Sequence, residues 1–354
     1  MAYTTIDNPE LYFQTKLYTG NGSTNAITLD GSENMQPDWV WIKERGGAEN
    51  HNLFDSVRGV TKRIRSNGTE AEDTRSSALT AFGTDGFTLG SDNQTNNNSD
   101  TYVAWNWKAG TSFTNDASST GIGSIDSAGS VSTDAGFSIV SYTGTGANAT
   151  IAHGLGAKPQ VIFTKSRDTA QNWLVQHKYS IGSDGWTDSL VLNLTNTADD
   201  DASYWNDTEP TSTVFSVGSS ALSNKSSDAM IAYCFAEKQG YSKFGSYTGN
   251  GNADGTFVYT GFKPAFIMCK RTDGADDWFL LDNKRDIDNP ANHWLMADSS
   301  GAEQTSPIFF DFTAQGFKNR GTGGGNNASG GTYIYMAFAE NPFVTSTGVP
   351  ATAR

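Results

Sequence analysis

The chain has 354 residues, enough for two or three domains, and carries a formal net charge of −14 with a sequence pI near 4.6. That field repels nucleic acid and anionic membranes, which excludes both as partners of the surface as a whole. Apolar residues make up only 36%, but 20 Phe, 13 Tyr and 9 Trp compensate, and 38 Gly with abundant Ser, Thr, Asn and Asp point to many short strands joined by turns.

The N-terminal stretch MAYTTIDNPELYFQ has no charged head before an apolar run. It does not read as a secretory signal, and no segment approaches the roughly 18 apolar residues of a membrane span. Folding in a cytosol, without membrane insertion, is expected. Cys234 and Cys269 have no metal spacing and lie in apolar strand-like runs, so two buried free thiols are expected.

Internal repetition organises the rest. Tyr-Thr-Gly-x-Gly occurs at Tyr18–Gly22, Tyr142–Gly146 and Tyr247–Gly251, and a proline follows each, at Pro37, Pro159 and Pro264. From these prolines three segments, PDWVWIK, PQVIFTK and PAFIMCK, align without gaps. The repeated positions are Lys43, Lys165 and Lys270, then His51, Trp173 and Trp278, then Leu53, Val175 and Leu280, then Asp55, His177 and Asp282. Arg58 and Arg285 match in the first and third copies. Each copy closes on a strand: Tyr102–Trp107, Met230–Phe235 and Tyr333–Phe338, preceded by DGFTLGS, STVFSVGS and AQGFKNRG.

The reading is an all-β protein of three tandem β-sandwich modules formed by divergent repeats. The first block covers 1–110, a Ser/Gly/Thr-rich linker with edge strands 111–135, the second block 136–237, and the third block with the C-terminal tail 238–354. The proline-led segments are continuously apolar, as a strand buried on both faces would be. Their repeated core is expected to be Trp39, Trp41, Val161, Phe163, Phe266 and Met268, joined by Trp173 and Trp278. In Phe137–Tyr142 the apolar residues alternate, which predicts one inward face with Ser138 turned away. Glu70–Thr80 is the best helical candidate, with acids suited to a first turn, and reads as either one short helix or a loop. Ser91–Asp100 and Gly321–Gly331 read as long loops.

No chemistry-bearing motif rises above this architecture. Asp55 and Asp282 are the only acids repeated at one offset, and an exposed structural salt link to Arg58 and Arg285 is expected, not a glycosidase pair. His51, His153, His177 and His293 lack ligand spacing, and His153 reads as a turn residue. GTGGGNNASGG has no phosphate-loop lysine. Thr197–Asp201 with Asp207 and Glu209 is the best oxygen cluster for calcium, read as a solvated loop. No metal or cofactor is expected. Trp186, Trp205 and Trp294 sit in polar contexts, beside Gly185, Asn206 and His293, and are the candidate sugar-stacking rings. The basic run RGVTKRIR supplies a candidate contact to an acidic neighbouring subunit through Arg58, Lys62, Arg63 and Arg65.

The blocks YFQTKLYTGNG, MQPDWVWIK, LFDSVRGVTK, SNGTEAEDT, DGFTLGS and YVAWNWKAG resemble a repeat in virion proteins of marine bacteriophages, including cyanophages. GFSIVSYTGTG, HGLGAKPQVIF and MIAYCFAEK resemble its second type of copy. The resemblance covers nearly the whole chain. It implies a non-enzymatic, tail-fibre-like virion component, folded in the host cytoplasm, with jelly-roll or concanavalin-like sandwiches and no defined catalytic residues. It further implies other virion proteins as partners, a homo-oligomer with a trimer favoured, and a host-surface glycan as a receptor. A capsid decoration or head fibre, a glycan-degrading depolymerase and a free lectin are the alternatives.

Overall fold

The computed structural model describes residues 2–180 and 186–351, with the side chains of 306–309 and the segments beyond these limits left aside. The protein is all-β, and its helices are single turns. Twelve strands form three four-stranded units of one design, the second and third of which continue into eight-stranded sheets. The first contains β1 (Phe13–Thr19), β2 (Trp39–Glu44), β3 (Asn52–Asp55) and β4 (Thr101–Trp107) in the order β1-β4-β2-β3. The second contains β5 (Phe137–Thr143), β6 (Val161–Ser166), β7 (Leu174–His177) and β8 (Ala229–Phe235) as β5-β8-β6-β7. The third contains β9 (Ser242–Thr248), β10 (Phe262–Arg271), β11 (Trp278–Asp282) and β12 (Thr332–Pro342) as β9-β12-β10-β11. All pairs are antiparallel, and register repeats as well as order. Trp39, Val161 and Phe266 lie opposite Trp107, Phe235 and Phe338 on one side and Asp55, His177 and Asp282 on the other.

The continuous apolar runs follow from the layering. Alternate side chains of β2, β6 and β10 point to opposite faces. Val40 and Ile42, Ile162, and Ile267 and Cys269 face separate sandwich cores, one for each block. Each core is closed by a second layer of strands: Asn25–Ile27 with Leu79–Gly83 and Gly86–Leu89 as a separate sheet, Ala149–Ala152 with Val214–Val217 as another, and, in the third block, Phe257–Tyr259 with Gln304–Thr313 and Gly316–Asn319, which continue the third sheet beyond β11 through Ala291–Met296. The other face carries Trp39, Trp41, Val161, Phe163, Phe266 and Met268 into one cluster shared by all three sheets, which also takes in Trp173 and Trp278. There Trp39 stacks on Tyr233 with ring centroids 4.4 Å apart, Trp105 meets Phe266 at 5.7 Å, and Phe235 meets Phe338 at 6.0 Å. The three sheets thus close on one another around a common aromatic core.

Two local expectations need correction. Ser138 is fully buried, because it faces the sandwich core beside Val140 and Cys234 while Phe137 and Ile139 face the shared core. Glu70–Thr80 forms no helix. Its residues enter the short strand Asp73–Thr74 and the start of Leu79–Gly83, because Glu72 and Asp73 are held by arginines. The edge strands expected in 111–135 are present: Ser127–Ser132, which holds Gly-Ser-Val-Ser, pairs with β5 and Thr111–Asn115 pairs with it in turn, while Gly-Ser-Ile-Asp gives only a bridge from Ile125 to Ile151.

The Tyr-Thr-Gly-x-Gly motif has a structural cause in each block. One-turn helices end on Asn96, Asn224 and Asn327, all buried, inside the polar stretches that precede β4, β8 and β12. Each amide clasps the motif loop. Asn224 accepts from the Thr145 N–H at 2.7 Å and donates to the Ala147 and Gly218 carbonyls at 2.5 and 2.9 Å. Asn96 and Asn327 repeat the pattern on Asn21 and Ser23, and on Asn250 and Asn252. The motif tyrosines donate to the Thr95, Ser223 and Asn326 carbonyls. The first glycine is required by closeness, since a Cβ on Gly144 would lie 2.1 Å from the Lys225 oxygen. Asn224→Ala strands several buried backbone groups, so a loss of about 2–3 kcal/mol is expected in urea denaturation, with Asn224→Asp recovering only part of it.

Candidate functional site

The repeated polar residues converge on the junctions between blocks. Fourteen residues after the block prolines, His51, Trp173 and Trp278 each reach into another block. Trp173 Nε1 donates to the Arg65 carbonyl at 2.7 Å and Trp278 Nε1 to the Val191 carbonyl at 3.0 Å. His51 Nδ1 accepts from Trp41 Nε1 at 2.8 Å, which leaves Nε2 to donate to the Met296 carbonyl at 2.9 Å. The second block therefore leans on the first, the third on the second, and the first on the third.

Asp55, His177 and Asp282 complete the same circuit. Asp55 takes Arg58 Nε at 2.5 Å and the Tyr233 hydroxyl of the second block at 2.6 Å. Asp282 takes Arg285 Nε at 2.6 Å and Trp105 Nε1 of the first block at 3.0 Å. His177 Nδ1 accepts from the Tyr179 N–H, and Nε2 donates to the Tyr335 carbonyl of the third block at 3.2 Å. Trp105, Tyr233 and Met336 are matched positions of the closing strands. The one block that faces a methionine, which has no hydrogen to donate, is the one that carries histidine in place of aspartate. The expected links from Asp55 to Arg58 and from Asp282 to Arg285 exist, but both pairs have fully buried side chains rather than exposed ones. Burial makes them costly to break.

Two acids outside the aligned blocks finish two of the junctions. Glu72 binds Arg58 of its own block and Arg167 of the second, at 3.2 and 2.9 Å. Glu303 binds Arg285 of its own block and Arg45 of the first, at 3.2 and 2.8 Å. Their backbone N–H groups donate to the Arg167 and Arg45 carbonyls, both at 2.8 Å, and Ala198 makes the same bond to Thr272 at 3.0 Å. Lys43, Lys165 and Lys270 are buried beside these contacts, and desolvation pushes each down to about 8. Each ammonium donates to the carbonyl of the residue after it, and those of Lys165 and Lys270 also to Thr69 and Thr195.

Two of the four candidate subunit-contact residues turn inward, while Lys62 and Arg65 stay partly exposed. Arg58 and Arg63 are buried, Arg63 on Asp73 at 2.6 Å and on Asn52 at 3.0 Å, while Arg65 meets Asp73 at 3.3 Å and Lys62 meets the Thr74 hydroxyl. The acidic partners lie in the same chain. The candidate sugar rings are corrected as well. Trp205 is 1% exposed with its indole N–H on Ser189 at 2.7 Å, and Trp186 is 6% exposed, so neither presents a ring face. Trp294 is half-buried and packs edge-on to Phe279 at 5.2 Å. Gly185 lies outside the described residues.

Other candidates are absorbed locally. His153 is buried in its turn between the Leu155 N–H and the Thr211 carbonyl, and burial pushes it down to about 4. Cys234 and Cys269 are buried free thiols, and burial pushes the second up to about 12. Asp201 caps a one-turn helix, Asp199 meets the Tyr204 hydroxyl, and Glu209 pairs with Lys158. Among the described residues, no group of three or more His, Cys, Asp or Glu is arranged to hold a metal ion. The open space of note is a polar cleft of about 740 Å³ at one end of the third block, lined by Lys263, Asn283, Asp286, Asp288, Asn289 and Glu340 among others. Lys263 and Glu340 pair across it at 2.8 Å, and Asp286 holds His293 Nδ1 at 2.5 Å.

Residues 8–342 match the profile of a domain family described as a domain of unknown function (DUF7483), and the chain belongs to that family. A search of the curated proteins finds no match.

Proposed function

We propose that this member of the DUF7483 family is a non-enzymatic structural protein of a bacteriophage particle, built into a tail fibre or another part of the adsorption apparatus. The observation that carries the reading is the use made of the repeated polar residues. Asp55, Asp282, His177, His51, Trp173 and Trp278 are all consumed in fastening one block to the next. Residues that catalysis would need open to a substrate are sealed between sheets, as suits a rigid part. The phage assignment rests on the sequence blocks that resemble virion repeats. Other virion proteins are the proposed partners. A homo-oligomer, a trimer first, would multiply weak contacts with a host glycan into avidity.

Immunogold labelling of intact particles tests the assignment. Gold on tails supports the adsorption role, gold on heads supports a capsid decoration instead, and particles without label sink both. The depolymerase alternative has its best candidate in the polar cleft, whose lining includes Asp286, Asp288 and Glu340. It requires that host polysaccharide shorten on incubation and that Glu340→Gln abolish the effect.

A further inference from the structure

The third block departs from the other two at its outer edge. Val258, Ile27 and Ile151 hold one structural position, each inward and opposite the conserved-register phenylalanines Phe317, Phe87 and Phe215. The residues on either side of it point away from the sandwich core. In the first block they are the exposed Ala26 and Thr28, and in the second Thr150 and Ala152, the latter buried under the stretch 124–127. In the third they are Phe257 and Tyr259, 48% and 54% exposed. Two large rings therefore stand on one face of the edge strand Phe257–Tyr259, about 6.6 Å apart at strand spacing. Exposed aromatics paired in this way are not a requirement of the fold, since the same strand is built twice without them.

We propose that Phe257 and Tyr259 form a stacking platform for a neutral, hydroxyl-rich glycan. This rests on the adsorption reading above and supplies it with a binding surface that the buried Trp186 and Trp205 cannot. The surroundings fit that ligand. Gly316 lies opposite Tyr259, so no side chain crosses its ring from the next strand, and Lys318 lies opposite Phe257. The rim is polar yet balanced: Lys318 pairs with Asp254, and Arg320 Nε with Asp311 at 3.0 Å. Such a rim offers donors and acceptors to hydroxyl groups while giving no net attraction to an anionic polymer. The Tyr259 hydroxyl lies beside Gly261, as does that of Tyr3, which donates to the Gly261 carbonyl at 2.6 Å, so the ring has a polar anchor at its tip. A ring anchored before binding loses little freedom on binding.

A second copy of the chain fits less well. Two half-exposed rings offer roughly 100 Å² each, far below the roughly 800 Å² per partner of a stable protein interface. The edge strand is three residues long, and short edge strands resist pairing.

The test uses the full chain on an array of neutral oligosaccharides of glucose, galactose, mannose and N-acetylglucosamine, with sialylated and sulfated glycans beside them. Saturable binding to at least one neutral glycan is expected, weakened about tenfold or more in Phe257→Ala and in Tyr259→Ala. Both variants should melt within about 2 °C of the parent, because the rings are half exposed. Trp294→Phe should bind as the parent does. No binding to any neutral glycan, preference for the charged ones, or equal binding by the Phe257→Ala/Tyr259→Ala double variant would overturn the platform. A fall in sedimenting mass in that double variant would reassign the rings to self-association and overturn it too. Failure here with gold on tails would leave the structural reading intact, whereas glycan binding by a chain absent from particles would leave the platform and remove the virion.

Discussion

Replacing Asp55 with alanine is expected to cost about 3–5 kcal/mol of stability. The carboxylate is fully buried and neutralises Arg58, whose guanidinium is itself fully buried. It also accepts the Tyr233 hydroxyl from the second block, so the change uncouples two sheets as well as stranding a charge. Tyr233→Phe keeps the ring on Trp39 and removes only the hydroxyl, for which about 1–3 kcal/mol is expected. In a double-mutant cycle the two effects should be far from additive, since they delete one bond. Urea denaturation followed by tryptophan fluorescence and by circular dichroism gives both numbers. The two signals should coincide in the parent, because Trp39, Phe235 and Phe338 belong to one core and the blocks should not unfold separately. Separate transitions for the blocks, or an Asp55→Ala loss below about 1 kcal/mol, would contradict the interlocked arrangement.

The sequence makes the individual sheets legible and hides how they meet. PDWVWIK, PQVIFTK and PAFIMCK announce strands covered on both faces, and the coordinates place Trp39, Val161 and Phe266 in one register and one core. A repeat compared only with itself cannot say which block covers the second face. Asp55 with Arg58 looks like an exposed pair three residues apart; its burial comes from Tyr233, 178 residues away. Glu72 and Glu303 escape notice because they lie outside the aligned segments and matter only through Arg167 and Arg45, from other blocks. Asn96, Asn224 and Asn327 could have been found. Each stands six residues before its closing strand residue, Tyr102, Met230 or Tyr333, inside stretches whose polar composition reads as loop. The indoles of Trp186 and Trp205 mislead for a related reason. Polar sequence neighbours describe the chain beside a ring, whereas exposure depends on what packs over it, and Trp205 is roofed by the second sandwich core.

Acid should unfold the protein well before its carboxylates are all protonated, and three histidines set the direction. His51, His153 and His177 are buried, and desolvation holds each below its ordinary value, the last two at about 4. An unfolded chain takes up these protons near pH 6.5 and the folded one does not, so stability is complete above 6.5 and drains away as pH falls toward 4. For His153 and His177 the full loss is about 3 kcal/mol each. His51, placed beside Lys43 and Arg285, adds to it. Asp298 works the other way. Burial raises it to about 7, so it favours the folded state as pH falls below that value and offsets roughly one histidine. Burial also raises Asp38, Glu44 and Asp276, which act with Asp298, and the balance expected from the three histidines is a net loss between pH 6.5 and 4, read as a fall in melting temperature. His177→Gln keeps a donor for the Tyr335 carbonyl and removes the titration. It should lower stability modestly at pH 7 and shrink the difference between pH 7 and pH 5. A parent whose melting temperature is flat from pH 7 to pH 4.5, or a His177→Gln variant with an unchanged pH slope, would mean that these rings take up protons without opening the junction between the second and third blocks.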